Sequence, residues 1–226
     1  MTRLEPADLQ AYATDIGQQA AILLSYIDWE TDPLATRKPK GKKGPQQDHE
    51  LTSAVFERTV LLYSNAANAS EDASWAEDVA EQMKQAAEAY RSAEATVWAR
   101  YVDWVAANPP ADVDEDENEE LVREVAGRST RACPTDGGLW ARYILNLEEA
   151  REITRIEQAV EKAQDLIIAN SAPVSALVEV QYNHLAILHR RYRDLDVNRE
   201  LPGTNPDANS QWTTQSLRRR LRRSNS

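Results

Sequence analysis

One aromatic phrase is written three times along this chain: Tyr26-Ile27-Asp28-Trp29-Glu30, then Trp98-Ala99-Arg100-Tyr101-Val102-Asp103-Trp104, then Trp140-Ala141-Arg142-Tyr143-Ile144-Leu145-Asn146-Leu147-Glu148. In each copy the large apolar residues fall three and four positions apart, which places them on one face of a helix. A single helical unit cannot bury such a stripe by itself. A phrase that recurs along one chain therefore asks for stacked units sharing a continuous core, which predicts a repeat scaffold rather than an enzyme.

The rest of the chain is compatible with helix nearly throughout. Seven glycines and ten prolines in 226 residues are too few for a strand-and-turn protein, and 42% hydrophobic content suffices for a continuous core. Alanine, leucine, glutamate, glutamine and arginine are good helix formers, so the expected class is all-α. The single cysteine, Cys133, cannot close an intramolecular disulfide. The N-terminal residues also lack the basic start, apolar run and small-residue cleavage site of a signal peptide, so a reducing compartment is expected. No apolar stretch approaches the roughly 20 residues needed to cross a bilayer, and a soluble protein is expected.

Periodicity and breakers give the element order. A helix over 7–30 carries Tyr12, Ile16, Ala20, Leu23, Leu24, Ile27 and Trp29 and stops at Asp32-Pro33. Residues 36–45 are basic, broken by proline and glycine, and read as a solvated loop. A second helix follows over 48–64. An inserted helix is expected over 72–93, leading into the second phrase at 96–107, which ends at Asn108-Pro109-Pro110. The run from Asp112 to Glu120 has seven carboxylates in nine positions and reads as a solvated loop before a helix over 119–132. The third phrase lies in 137–150, its answering helix in 152–169, and one more amphipathic helix in 173–195. No partner helix follows that last one, so its apolar face is expected to stay open until a further helix covers it. The whole reads as a domain over 1–196 with helix pairs at about 7–64, 96–132 and 137–169, and a disordered basic tail over 197–226.

Charge narrows the partners. The net charge is −11, and without the five arginines of the tail there are 21 basic against 37 acidic side chains. A body this acidic repels a phosphate backbone, so any RNA contact must be local. Two clusters could make one: Arg37, Lys38, Lys40, Lys42 and Lys43 in the basic loop, and Arg218, Arg219, Arg220, Arg222 and Arg223 in the tail. Such clusters also serve as nuclear import signals, and no aromatic residue interleaves either of them to stack on a base.

Paired helices with this wording resemble half-a-TPR (HAT) repeats. There the first helix carries Trp-x-x-Tyr-x-x-hydrophobic-Glu and the second a hydrophobic-Glu-Arg or Glu-Lys-Ala motif. The matching residues are Tyr26, Trp29 and Glu30 with Phe56-Glu57-Arg58; Trp98, Tyr101 and Trp104 with Ala126-Gly127-Arg128; and Trp140, Tyr143, Leu147 and Glu148 with Val160-Glu161-Lys162-Ala163. Within the HAT proteins the order is most similar to the N-terminal repeats of the U4/U6 snRNA recycling factor family. The segments that carry this are Leu24 to Glu30, Val55 to Arg58, Val97 to Trp104, and Arg131-Ala132-Cys133-Pro134 with Leu139 to Tyr143.

The resemblance implies a right-handed α-solenoid of antiparallel helix pairs that acts as a protein–protein scaffold in nuclear RNA processing. Splicing is its first implication, with U4/U6 snRNP assembly or recycling as the step and this chain as an N-terminal fragment. The alternative is a HAT scaffold of mRNA 3′-end cleavage or of another spliceosomal subunit, and a distant third is an all-α enzyme or regulator. Expected partners are spliceosomal or other RNA-processing proteins, with indirect U4/U6 snRNA association and homodimerisation as further options, no membrane and no cofactor.

The aromatic positions are expected to be the main packing residues, since each buried ring covers about 150 to 250 Å². Glu30 and Glu148 are expected to pair between helices, with Arg58 and Lys162 as partners, because a carboxylate buried alone would be costly. The competing reading is that these glutamates face water. For catalysis the chain offers His49, His184, His189 and Cys133 but no G-x-S-x-G, P-loop or glycine-rich phosphate cradle. His184 and His189 are five apart rather than four, and Cys133 reads as a small packed residue. The acidic run lacks the glycine and ligand spacing of a calcium loop.

Overall fold

A computed structural model describes residues 6–31, 49–71, 77–110 and 113–199, with side chains over 11–29, 49–71, 79–110 and 113–193. The basic loop and the arginine tail lie outside the described residues. Among the described residues the chain is all-α: seven helices and no strand. They are α1 (Pro6–Thr31), α2 (His49–Ser70), α3 (Glu77–Ala107), α4 (Glu115–Ala132), α5 (Gly137–Glu149), α6 (Ile153–Ala169) and α7 (Val174–Arg199). The chain divides into two compact units, residues 1–184 and 185–226, and α7 runs from the first into the second.

Four helices differ from the sequence expectation: α7 runs to Arg199, past the expected end at 195 and into the stretch expected to be disordered, and the other three differ for identifiable reasons. Helix α2 continues past 64 because Ala66 and Ala67 are fully buried, so the alanine-rich tract is packed helix rather than a connection. The expected insert and the second phrase are one helix of 31 residues. No glycine or proline interrupts 77–107, and Met83, Ala87, Ala95 and Trp98 continue one buried stripe from the insert into the phrase. Helix α4 begins at Glu115, inside the acidic run. Asp114 accepts a hydrogen bond from the Glu117 backbone N–H at 2.9 Å while the Glu117 carboxylate reaches back to the Asp114 N–H, a reciprocal capping box. Glu115, Asp116 and Glu117 then sit where the helix dipole favours negative charge. The carboxylates read as a loop are thus a helix start.

From α1 to α6 each helix packs against the next, and α3 also touches α5. The central core joins five of them: Ile27 from α1, Phe56 and Val60 from α2, Val97, Trp98, Tyr101, Val102, Trp104 and Val105 from α3, Val122, Val125 and Ala126 from α4, and Leu139 from α5. Further along, Ile144 and Leu147 of α5 and Ile156, Val160, Ala163 and Ile167 of α6 are also buried.

The turn between α4 and α5 is tightly specified. Asp136 caps α5 by accepting from the Leu139 backbone N–H at 2.9 Å, and the Trp140 indole Nε1 donates to the Pro134 carbonyl oxygen at 2.9 Å. At Gly137 the backbone lies so close to Ala176 of α7 that a Cβ there would collide with the Ala176 main chain. Helices α5 and α6 end alike, with the chain turning through left-handed Arg151 (φ 59°) and Ser171 (φ 50°). In both, the last carbonyls are satisfied in the Schellman pattern: Glu152 N–H to Leu147 O and Arg151 N–H to Glu148 O, then Ala172 N–H to Ile167 O and Ser171 N–H to Ile168 O.

Candidate interaction site

The structure brings most of the phrase residues together. Phe56 of α2 lies flat against Tyr101 of α3, with ring centroids 4.9 Å apart and an interplanar angle of 12°, and Trp104 tilts against the same ring at 5.7 Å. Trp98 stacks on Tyr101 at 6.0 Å, and all four rings are buried. Trp140 is buried with Tyr143, half-buried, at its edge, and Leu147 is fully buried. Tyr26 is half-buried. Trp29 departs from the expectation: it is 58% exposed, in contact with Tyr26 at 6.0 Å. It occupies the phrase position of buried Trp104 but sits on α1, where none of the described helices covers it.

Polar contacts tie successive copies of the phrase, and here the geometry goes beyond what the spacing suggested. The arginine before the tyrosine in one copy meets the aspartate two residues after the tyrosine in the copy before it. Arg100 donates to Asp28 at 2.6 Å, and Arg142 grips Asp103 with two nitrogens at 3.3 Å each. The third copy carries Leu145 where an aspartate would receive a fourth helix, and Gln181 rather than arginine precedes Tyr182 of α7. The ladder therefore has two rungs. Each is too exposed to add much stability, about 0 to 1 kcal/mol, but each fixes which residue of one copy faces which residue of the next.

In the second-helix motif it is Glu57 that crosses to another helix, meeting Arg128 of α4 at 2.6 Å, while Arg58 is exposed. The Arg128 guanidinium also lies 5.5 Å from the centroid of Trp98, within cation–π range. Glu152, between α5 and α6, holds Arg123 of α4 and Arg155 of α6 together. Burial pushes its carboxyl up, but hydrogen bonds from Arg155 and Arg123 outweigh this and hold it below the ordinary glutamate value. Glu148 is half-buried and Lys162 exposed, and the Glu30 side chain lies outside those described.

The sequence reading also passed over Glu94, whose side chain is 1% exposed on α3. Among the described residues its one charged partner at salt-bridge distance is Arg91, at 3.3 Å, and Arg91 itself reaches Asn68 of α2 at 2.6 Å and Glu71, just past the end of α2, at 3.2 Å. Burial raises the Glu94 carboxyl above its ordinary value, and Arg91 offsets this only in part. A charged residue inside a helical stripe gave no periodic signal. Cys133 is buried, and loss of solvent pushes its thiol up to about 12, so it is a packed residue with no thiolate character. His49 packs on Trp104 at 4.7 Å, and burial lowers its imidazole below the ordinary value.

Between α4, α5 and α6 lies a cleft of about 170 Å³ lined by Thr130, Arg131, Tyr143, Arg155, Gln158 and Lys162 among others. On α7, Val174, Val178 and Tyr182 are exposed while Ala176 and Val180 are buried, so that helix has a second, outward apolar face. Among the described residues no cluster of three or more His, Cys, Asp or Glu is placed to hold a metal ion, and no helix is long and apolar enough to cross a membrane. No family model, curated protein or solved structure matches the chain.

Proposed function

We propose that this chain is a non-catalytic scaffold of HAT-like helix pairs that assembles proteins in nuclear RNA processing, with pre-mRNA splicing and the U4/U6 particle as its setting. The observation that carries the scaffold part is the two-rung ladder, Arg100 to Asp28 and Arg142 to Asp103. The same contact, made between the same phrase positions twice, is what translation of one structural unit along a solenoid produces. Stacking of Phe56 on Tyr101 supports it, because the second helix of one pair then packs on the first helix of the next. The nuclear part rests on the resemblance of the three phrases to HAT repeats, and the basic segments at 37–43 and 218–223 supply residues suited to import.

The test is affinity purification of the tagged chain from nuclear extract of its own organism, with co-purifying proteins and small RNAs identified together. Enrichment of U4 and U6 with their proteins supports the reading. Recovery of 3′-end cleavage factors moves the chain to the alternative HAT scaffold, and absence of any RNA-processing protein overturns the nuclear assignment.

A further inference from the structure

We infer that the cleft between α4, α5 and α6 is a docking site for an acidic peptide segment, with a carboxylate of the partner held by Arg131, Lys162 and Arg155. The inference rests on the scaffold reading and names the chemistry of a partner. Three cations converge there from two helices, and the lining includes no Asp or Glu. Arg155 is already shared with Glu152 at 2.6 Å, but Arg131 and Lys162 meet no carboxylate at salt-bridge distance among the described residues. In a chain of net charge −11 such a concentration runs against the overall sign. Like charges held in one cleft repel each other, and an anion entering it relieves that repulsion.

The shape of the cleft follows from Gly127. It stands in the middle of α4 without a side chain, and a Cβ built there would meet the Tyr143 ring at 3.5 Å and the Arg131 guanidinium at 3.7 Å. The missing side chain is what leaves space between the Arg131 head and Tyr143. On the far wall Arg155, Gln158, Ala159 and Lys162 follow one another at steps of three, one and three along one face of α6, so an anion meets two charges and an amide from that helix. The Tyr143 hydroxyl, which receives a hydrogen bond from Arg155 at 3.4 Å, adds a polar group. A second cleft, at α3, α4 and α5, has the opposite lining, with Glu115, Glu119 and Glu149 and no cation. Of the two clefts, the first is the one that attracts an acidic segment.

A peptide fits better than a nucleic acid. Trp140, the largest ring of the lining, is 2% exposed and offers no face for stacking a base. The acidic body adds a long-range penalty along an RNA backbone that a short peptide does not incur to the same degree.

The experiment is fluorescence anisotropy at low salt with the full chain and two probes, a fluorescein-labelled poly-glutamate peptide and a labelled poly-uridine RNA. Lys162→Glu is compared with Arg58→Glu, which makes the same change of charge at an exposed site outside the cleft, and circular dichroism verifies that both fold. The expected result is peptide binding weakened about tenfold or more by Lys162→Glu and less than about twofold by Arg58→Glu. Gly127→Leu, which fills the cleft and leaves every charge in place, should weaken it as well. No peptide binding to the unaltered chain, equal weakening by the two charge changes, or RNA bound more tightly than peptide through Lys162 each overturns the proposal. Such a failure leaves the scaffold reading standing, because that reading is judged by what co-purifies from nuclei.

Discussion

Arg128 and Glu57 meet at 2.6 Å across 71 residues of sequence, and the same guanidinium lies 5.5 Å from the centre of Trp98. One side chain thus joins α2, α3 and α4. Both charges are 36% exposed, so the attraction is partly screened by water and the pair is worth less than its short distance suggests. A double-mutant cycle with Glu57→Gln and Arg128→Met, followed by urea denaturation, should give a coupling of about 0.5 to 1 kcal/mol that shrinks in high salt.

The buried and exposed members of the phrase should separate sharply on truncation. Trp140→Ala removes a ring that is 2% exposed and bonded to the Pro134 carbonyl, and should cost about 3 to 5 kcal/mol. Trp29→Ala, at 58% exposure, should cost less than about 1 kcal/mol. Equal losses in thermal or urea unfolding would mean that Trp29 is covered in solution.

The two glycines at 127 and 137 should respond in opposite directions to the same change. At Gly127 an added methyl makes ordinary contacts within a helix, so Gly127→Ala should stabilise by about 0.5 to 1 kcal/mol. At Gly137 the methyl runs into the Ala176 backbone, which cannot step aside as a flexible side chain would, so Gly137→Ala should destabilise by about 1 to 3 kcal/mol. Midpoints of urea unfolding for the two variants test both signs together.

Glu94 sets a pH dependence. Because its carboxyl is raised in the folded chain above the ordinary value of 4.5, the folded state holds that proton more tightly than the unfolded state does. Its contribution is present at low pH and is lost as pH rises through the raised value. Glu94→Gln should therefore be more stable than the parent at neutral pH, with the difference fading below 4.5, while Arg91 keeps Glu71 as a partner. A variant less stable at neutral pH would show that the Arg91 contact outweighs the cost of burial.

How far the fold could be read from the residues differs element by element. The stripes at three and four gave the helices that hold Phe56, Trp98, Tyr101, Trp104, Trp140 and Leu147, because burial of large rings leaves a periodic trace. Helix starts were harder to see. The run from Asp112 to Glu120 is too polar to pack, yet Asp114 and Glu117 make it a cap, a matter of backbone hydrogen bonds rather than of hydropathy. The ion pairs were also partly hidden. Asp28, Asp103 and Arg128 stand at fixed places in or beside the phrases, but which arginine meets which aspartate depends on how one helix lies against another 39 or 72 residues away. The cleft at Arg131, Arg155 and Lys162 is drawn from two helices, neither of which is basic by itself.

The central claim is that the three phrase-bearing helices α1, α3 and α5 follow one another in an open row. Spin labels at the equivalent phrase positions, five residues before each tyrosine, exposed Ala21 and Thr96 and half-buried Gly138, allow the three pairwise distances to be measured by pulsed electron–electron resonance. An open stack predicts that the α1–α5 distance exceeds either neighbouring distance by about one interhelical spacing, ~10 Å. An α1–α5 distance no longer than the α1–α3 distance would mean that the helices close into a bundle, and would contradict the repeat-scaffold account.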